Sequence, residues 1–247
     1  MTGRNATTTA MLEWLASFGA AGLEDLAAVH ELSPAAAAAR LGALARDGLV
    51  ESVRLLHGQP ALHVITRAGL RAAGRDELAV PRVSPSGFAH LLECGRVAAA
   101  LDRAQRGRYG VLSERELRAC ESAAGRAIAS AELGFGPSGA RERHRPDLVC
   151  WPAGGVRAAL PLAVEVELTV KAPVRLHTIV RGWARSRLVA GVVYYCSPAA
   201  LRALQRAVAD ERADGQVHVL ERSRAGELPA GLPGRAIDES HPKCVLA

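Results

Sequence analysis

The stretch that most limits the fold is Ala163-Val164-Glu165-Val166-Glu167-Leu168-Thr169-Val170-Lys171, in which apolar and polar residues alternate. Side chains on a β-strand project to opposite faces in turn, so a period of two predicts a strand. On that strand Glu165, Glu167, Thr169 and Lys171 share one face, each about 7 Å from the next, and Val164, Val166, Leu168 and Val170 share the other. A solvated sheet edge can carry such a row of charges. The alternative comes from Pro146-Asp147-Leu148-Val149-Cys150-Trp151, a second strand-like run shortly upstream. If Asp147 meets Glu165 and Glu167 from a neighbouring strand, the three carboxylates repel one another unless a cation lies among them.

The placement of charge bears on the same stretch. Residues 131–190 carry 9 basic and 5 acidic side chains, against 7 and 6 in 1–75, 8 and 7 in 76–130, and 7 and 7 in 191–247. The excess behind the net charge of +6 therefore surrounds the carboxylates. A basic surround with an acidic centre suits a metal-dependent enzyme acting on a polyanion, with arginines on phosphates and carboxylates on the metal. Scattered surface arginines would give the same count. Lys171 and Lys243 are the only lysines in the chain. A compact ammonium in line with the carboxylates, where the chain elsewhere uses the planar guanidinium, marks Lys171 as a candidate functional group.

Composition removes several classes. At 247 residues and 49% hydrophobic content the chain can build one sizeable domain or two small ones. With no run of 18 apolar residues and no signal-peptide pattern in Met1–Asn5, the expectation is a cytoplasmic protein with no membrane partner. Cys94, Cys120, Cys150, Cys196 and Cys244 stand singly with no C-x-x-C pair, which predicts reduced thiols rather than a zinc site or a disulfide framework. Cys244–Ala247 has the outline of a prenylation box, but Ala- and Arg-rich usage points to a GC-rich bacterial genome, where that signal is not read. A phosphate loop, a G-x-G-x-x-G run and a nucleophile elbow are all missing, so a small-molecule enzyme has no motif in its support.

The first 75 residues read as a small helical unit. Apolar spacing predicts helices over 8–18 and 23–30, and Ser33-Pro34 opens a third through Arg46. Two short strands, 49–54 and 61–65, follow around the turn at 57–60. Three helices and a hairpin in this order make a winged helix-turn-helix over 1–75. Its third helix is the candidate recognition helix, with Arg40 and Arg46, while Arg54, Gln59 and Arg67 would serve the wing. Because that helix is mostly alanine, a second use stays open: homodimerisation or docking of a replication or regulatory partner protein.

Residues 76–87, rich in Pro, Ser and Gly, read as an exposed linker, and 88–222 as the second domain. That domain is expected to run helix, strand, helix, strand, strand, helix, strand, helix, strand. Ser113-Glu114-Arg115-Glu116 is a capping box, which makes Glu114 and Glu116 structural. A Gly/Pro/Arg-rich loop at 134–145 delivers Arg141, Arg143, His144 and Arg145 ahead of Asp147. The helix from Pro173 buries Leu176, Ile179, Val180 and Trp183 and lines its other face with His177, Arg181 and Arg185. His144 and His177 read as solvated or packing side chains, and the tail 223–247 as irregular.

This order, with Pro146-Asp147 on one central strand and Glu165 on the next, resembles the PD-(D/E)XK nuclease superfamily. The resemblance implies an α+β chain, a winged helix-turn-helix followed by an α/β nuclease-like domain with a mixed central sheet. It also implies a divalent metal, usually Mg²⁺, on Asp147 and Glu165. The superfamily's lysine two positions after the glutamate is replaced here by Glu167, and Lys171 could supply the ammonium from further along. Together with Thr66-Arg67-Ala68-Gly69-Leu70 and His144-Arg145, the pattern over residues 10–210 resembles the replication-relaxation family of actinobacterial plasmids and mobile elements. What that implies is a DNA-binding protein of an element's replication or maintenance. Two readings stay open. In one the chain is a Mg²⁺-dependent DNA endonuclease, with Glu167 and Lys171 acting at the water and the scissile phosphate and Arg143, Arg145, Arg181 and Arg185 on the DNA. In the other it is a catalytically inactive regulator or replication accessory protein.

Overall fold

The computed structural model describes residues 5–55, 58–136, 139–153 and 160–229. Part of the expected turn at 57–60, part of the 134–145 segment and the tail from 230 lie outside the described residues, as does the Cys244–Ala247 box. The chain divides into two units, one ending at Ala104 and one beginning at Gln105.

In the first unit α1 (Ala6–Phe18) is capped by the Asn5 side chain, which accepts from the Thr7 N–H. It ends at Gly19, whose φ of 87° a residue with a side chain would resist. Next come β1 (Ala20–Gly22), α2 (Leu23–Val29) and α3 (Pro34–Arg46), the last opened by Ser33 Oγ accepting from Ala36 N. β2 (Val50–Val53) and β3 (Leu62–Ile65) form the hairpin, and Thr66 caps α4 (Arg67–Ala72). The three strands form an antiparallel sheet in the order β1-β3-β2. In this unit β1 escaped the sequence, since Ala-Ala-Gly is too short to show a period; it exists because Ala20 to Gly22 pair with Leu62 to Val64.

α5 (Pro85–Ala104) corrects the sequence-based division. It packs on β1 and α2, and its Phe88 and Leu92 share a buried cluster with Ala20, Leu62 and Val64. The helix expected to open the second domain thus completes the core of the first unit. Residues 76–84 are held as well: Leu78 is buried, and Arg67 donates to the carbonyls of Asp76 and Leu78. Pro, Ser and Gly there signal irregular backbone, which is a different property from exposure.

The second unit contains β4 (Tyr109–Ser113), α6 (Glu114–Ala124), β5 (Ala131–Phe135), β6 (Arg141–His144), β7 (Leu148–Pro152), β8 (Leu162–Glu167), α7 (Pro173–Arg185), β9 (Gly191–Cys196), α8 (Pro198–Asp210) and β10 (Val217–Glu221). Five strands make one sheet in the order β10-β9-β8-β7-β4; β10, β9 and β8 are parallel, and β7 is antiparallel to both of its neighbours. The fold is α+β with a mixed sheet and eight helices among the described residues. The capping box forms as expected, Ser113 and Glu116 each satisfying the other's backbone N–H. The segment expected to be a loop at 134–145 instead contributes to the β5–β6 hairpin, whose register shifts between Glu132 and Gly134.

Two further expectations change. The strand predicted to reach Lys171 ends at Glu167, where Ser197 N donates to the Glu167 carbonyl and Ser197 Oγ to that of Leu168. Thr169 and Lys171 therefore lie beyond the sheet, on the approach to α7. The polar face of β8 is not solvated either. All six residues of β8 are buried, because α7 and α8 cover the face that Ala163, Glu165 and Glu167 share with Val192, Tyr194 and Cys196. Cys94, Cys150 and Cys196 are free, as expected. No described helix is long and apolar enough to cross a membrane.

Two glycines separate packing from backbone freedom. A Cβ on Gly69 would stand 2.1 Å from the Leu49 carbonyl oxygen and 2.5 Å from Ile65 Cδ1, whereas one on Gly42 in α3 meets nothing within 4 Å. Gly69→Ala is expected to cost at least about 1–3 kcal/mol through overpacking. Gly42→Ala should stabilise by about 0.5–1 kcal/mol through helix propensity. Chemical denaturation of both variants checks the pair of signs.

Candidate functional site

Register brings the predicted carboxylates together. Leu148 pairs with Val164 across the antiparallel β7–β8 ladder, so Asp147, one step before β7, falls opposite Glu165. Its Oδ2 accepts from the Val166 N–H at 2.8 Å, and its carbonyl accepts from Glu114 N. Asp147 thereby extends the ladder by one side-chain bond and ties β8 to the start of α6.

Glu165 lies deeper, at 4% exposure. Its Oε1 accepts from His144 Nε2 at 2.7 Å and from Trp183 Nε1 at 3.2 Å. His144, the last residue of β6, meets the Trp183 ring edge-on with centroids 5.9 Å apart. Trp183 reaches Glu165 because its neighbour on α7 is Gly182; a Cβ there would stand 2.7 Å from Leu133 Cδ2 and 3.1 Å from the Glu132 carbonyl oxygen. Only glycine lets α7 sit this close to β5. Glu167, 5% exposed, forms an ion pair with Lys171. The three carboxylates are thus met by an imidazole, an indole N–H, a backbone N–H and an ammonium, all from the chain itself.

The titration of the centre follows from this arrangement. Burial opposes protonation of His144, but the charge and hydrogen bond of Glu165, with Asp147 behind them, outweigh it and raise the pKa above 6.5. Burial raises Glu165 too, against the pull of His144. The direction that governs the pair is proton retention, because each partner loses its compensation if the shared proton leaves. Burial, with Glu165 and Glu167 nearby, keeps the Tyr194 phenol neutral far above its usual range. Burial, with Glu167 beside it, pushes Cys196 up to about 12, and burial alone takes Cys150 to about 12. Neither thiol is a nucleophile at neutral pH.

A divalent metal fits this set poorly. A metal on Glu165 Oε1 would have to displace both His144 and Trp183.

The expected DNA contacts divide into occupied and open groups. Arg145 donates to the buried Glu121, which also accepts from Ile128 N and Ser130 Oγ, so Arg145 is part of a core network. Arg181 grips Glu211 through two bonds of 2.8 Å, and with His177 it holds the Glu211 carboxyl down to about 2. Arg143 stands opposite Glu132 in the β5–β6 hairpin, and its Nε is buried with no hydrogen-bond partner. Arg40 is half-buried and bonds the Ala36 carbonyl in its own helix, and Arg67 staples residues 76 and 78. Arg46, Arg54, Gln59 and Arg185 are exposed. The sequence reading took His144 for a packing or solvated residue and Trp183 for core alone. The usable signal was that an indole N–H buried in a stripe of aliphatic residues needs an acceptor, and Glu165 is the buried acceptor available.

No family model matches this chain, and no curated protein sequence matches it.

The raised His144 pKa gives a pH signature. The folded centre keeps a proton that the unfolded chain releases above pH 6.5, so the pair's stabilisation is complete below that pH and is lost as pH rises through the raised value. The raised Glu165 pKa acts in the same direction. Urea denaturation between about pH 6 and about pH 9 should show wild-type stability falling more steeply than that of His144→Gln, which cannot carry the charge. Equal slopes would remove the proton from the centre. His144→Ala should cost about 3 kcal/mol, since it leaves a buried carboxylate without its cation.

Proposed function

We propose that the chain is a DNA-binding protein whose second unit keeps a nuclease-like fold without cutting phosphodiesters, working as a replication or maintenance accessory factor of a plasmid or mobile element. The observation that carries the non-hydrolytic reading is the bonding of Glu165 Oε1, which already accepts from two donors of the chain, one of them an imidazole whose raised pKa favours the cationic form and so opposes a metal ion. The hydrolytic alternative draws on one observation, the placement of Asp147 opposite Glu165 on neighbouring strands. On Oε1 it would require an ion to displace His144 and Trp183.

DNA binding draws support from the first unit. Its order of helix, strand, two helices and two strands, with the sheet β1-β3-β2, agrees with the winged helix expected from the sequence and so supports this reading. The exposed positions of α3 include Ala35, Ala38, Ala39, Gly42 and Ala45, which have no donors for base edges. Arg46 at its end and Arg54 after β2 are exposed guanidinium groups suited to phosphates. Binding is therefore expected to be strongly salt-dependent and weakly selective for sequence. The assignment to a mobile element rests on the likeness at Thr66–Leu70, His144–Asp147 and Glu165–Lys171.

Supercoiled and linear DNA incubated with the protein, with and without Mg²⁺ or Mn²⁺, separates the readings. Equal binding in all conditions with no nicking is expected; metal-dependent nicking that disappears in Asp147→Ala would overturn the non-hydrolytic reading. The double variant Arg46→Ala, Arg54→Ala should lower the slope of log K against log salt by about 1.8 on duplex DNA, about 0.9 for each phosphate that an arginine no longer neutralises. An unchanged slope would remove these arginines from the interface.

A further inference from the structure

Two adjoining cavities in the second unit share Arg206. The first, about 300 Å³, lies between the segment after β8 and α8, with Lys171, His177, Arg206 and Asp210 as its charged lining and Val170 and Leu176 among its apolar walls. The second, about 540 Å³ and open to solvent, continues along the exposed face of α8 past Arg202 and Gln205. Through the shared Arg206 we read the two as one groove, from Lys171, which pairs with Glu167, out over α8.

The charge in the groove is predominantly positive. Arg202 and Arg206 stand one helical turn apart, about 6 Å at their Cβ atoms, and are exposed. Neither forms an ion pair with a described carboxylate, and Arg206 Nε reaches only the Arg202 carbonyl at 3.4 Å. Arg145 and Arg181, in contrast, engage their guanidinium groups with Glu121 and Glu211. At the inner end Lys171 pairs with Glu167 while also lining the cavity. The acidic member of the lining, Asp210, lies 3.8 Å from His177. The adjacent first turn of α7 has no side-chain cap and no acidic residue, so its backbone adds a modest attraction for anions.

We propose that this groove holds the phosphates of a nucleic-acid strand, with Arg202 and Arg206 on successive phosphates and Lys171 at the inner end. The inference deepens the DNA-binding reading and rests on it. A compact anion would be gripped at one point by converging donors, whereas here the cations are strung along an open channel with apolar walls. Val170, which is exposed, offers a surface for sugar or base edges between the charges. The path differs from the sequence expectation, which ran the backbone along Arg181 and Arg185 of α7.

The test is fluorescence anisotropy with labelled duplex and single-stranded DNA at several salt concentrations, on the full chain and on Arg202→Ala, Arg206→Ala. The double variant should bind at least about tenfold more weakly at low salt, with a slope reduced by about 1.8 on duplex or about 1.4 on single strands. Which of the two reductions appears identifies the form of nucleic acid in the groove. Arg202→Lys, Arg206→Lys keeps the charge and should restore the slope; thermal unfolding of both variants should match wild type because both side chains are solvated. If wild type binds and the alanine variant matches it in affinity and slope, the groove is overturned while binding through the first unit stands. If wild type binds neither form of DNA, both readings fall.

Discussion

A carboxylate removed from water in the middle of a sheet is the constraint on which the second unit turns. Glu165 sits on β8, flanked on either side by β7 and β9 and covered by α7, so every polar group near it must come from the protein. That requirement explains otherwise separate features. The β5–β6 hairpin ends in His144, α7 carries Trp183, and glycine precedes that tryptophan so that helix and hairpin can close on the same oxygen. Burying a charge without such partners would cost several kcal/mol. Here the neighbouring elements are placed to supply them.

The same logic sorts the arginines. A count of basic residues around the carboxylates suggests a surface prepared for a polyanion, yet several of those side chains are taken up internally. Glu121 takes Arg145, Glu211 takes Arg181, and Glu142 takes Arg175. The exposed arginines outside such pairs are fewer, among them Arg185 on α7, Arg202 and Arg206 on α8, and Arg46 and Arg54 in the first unit. Net charge therefore locates a field without identifying which residues carry it outward.

Much of the architecture could be read from the sequence because its signals are local. Ser33-Pro34 and the Ser113–Glu116 box fix helix starts by hydrogen bonds within one turn, and both starts fall where expected. Asp147 and Glu165 meet because two short strands in antiparallel register leave few alternatives. What could not be read depended on distant contacts. β1 has no pattern of its own, and α5 joins the first unit through Phe88 and Leu92, which look like any amphipathic stripe until their partners are known. Alternation in β8 suggested one wet face, but α7 and α8 cover that face and all six residues of the strand are buried. The end of that strand at Glu167 is likewise set from outside, by Ser197. Lys171 consequently reaches Glu167 from a loop rather than from the strand.

The shared oxygen of Glu165 has a consequence for how such a chain can drift. Loss of the histidine alone strands a negative charge, and loss of the glutamate alone strands an imidazole and an indole N–H, so each single step is penalised more than their joint replacement by a neutral or apolar set. Positions 144, 165 and 183 should accordingly change as a group among related chains. A lineage in which only one of the three has been exchanged would need a compensating donor or acceptor at the same spot.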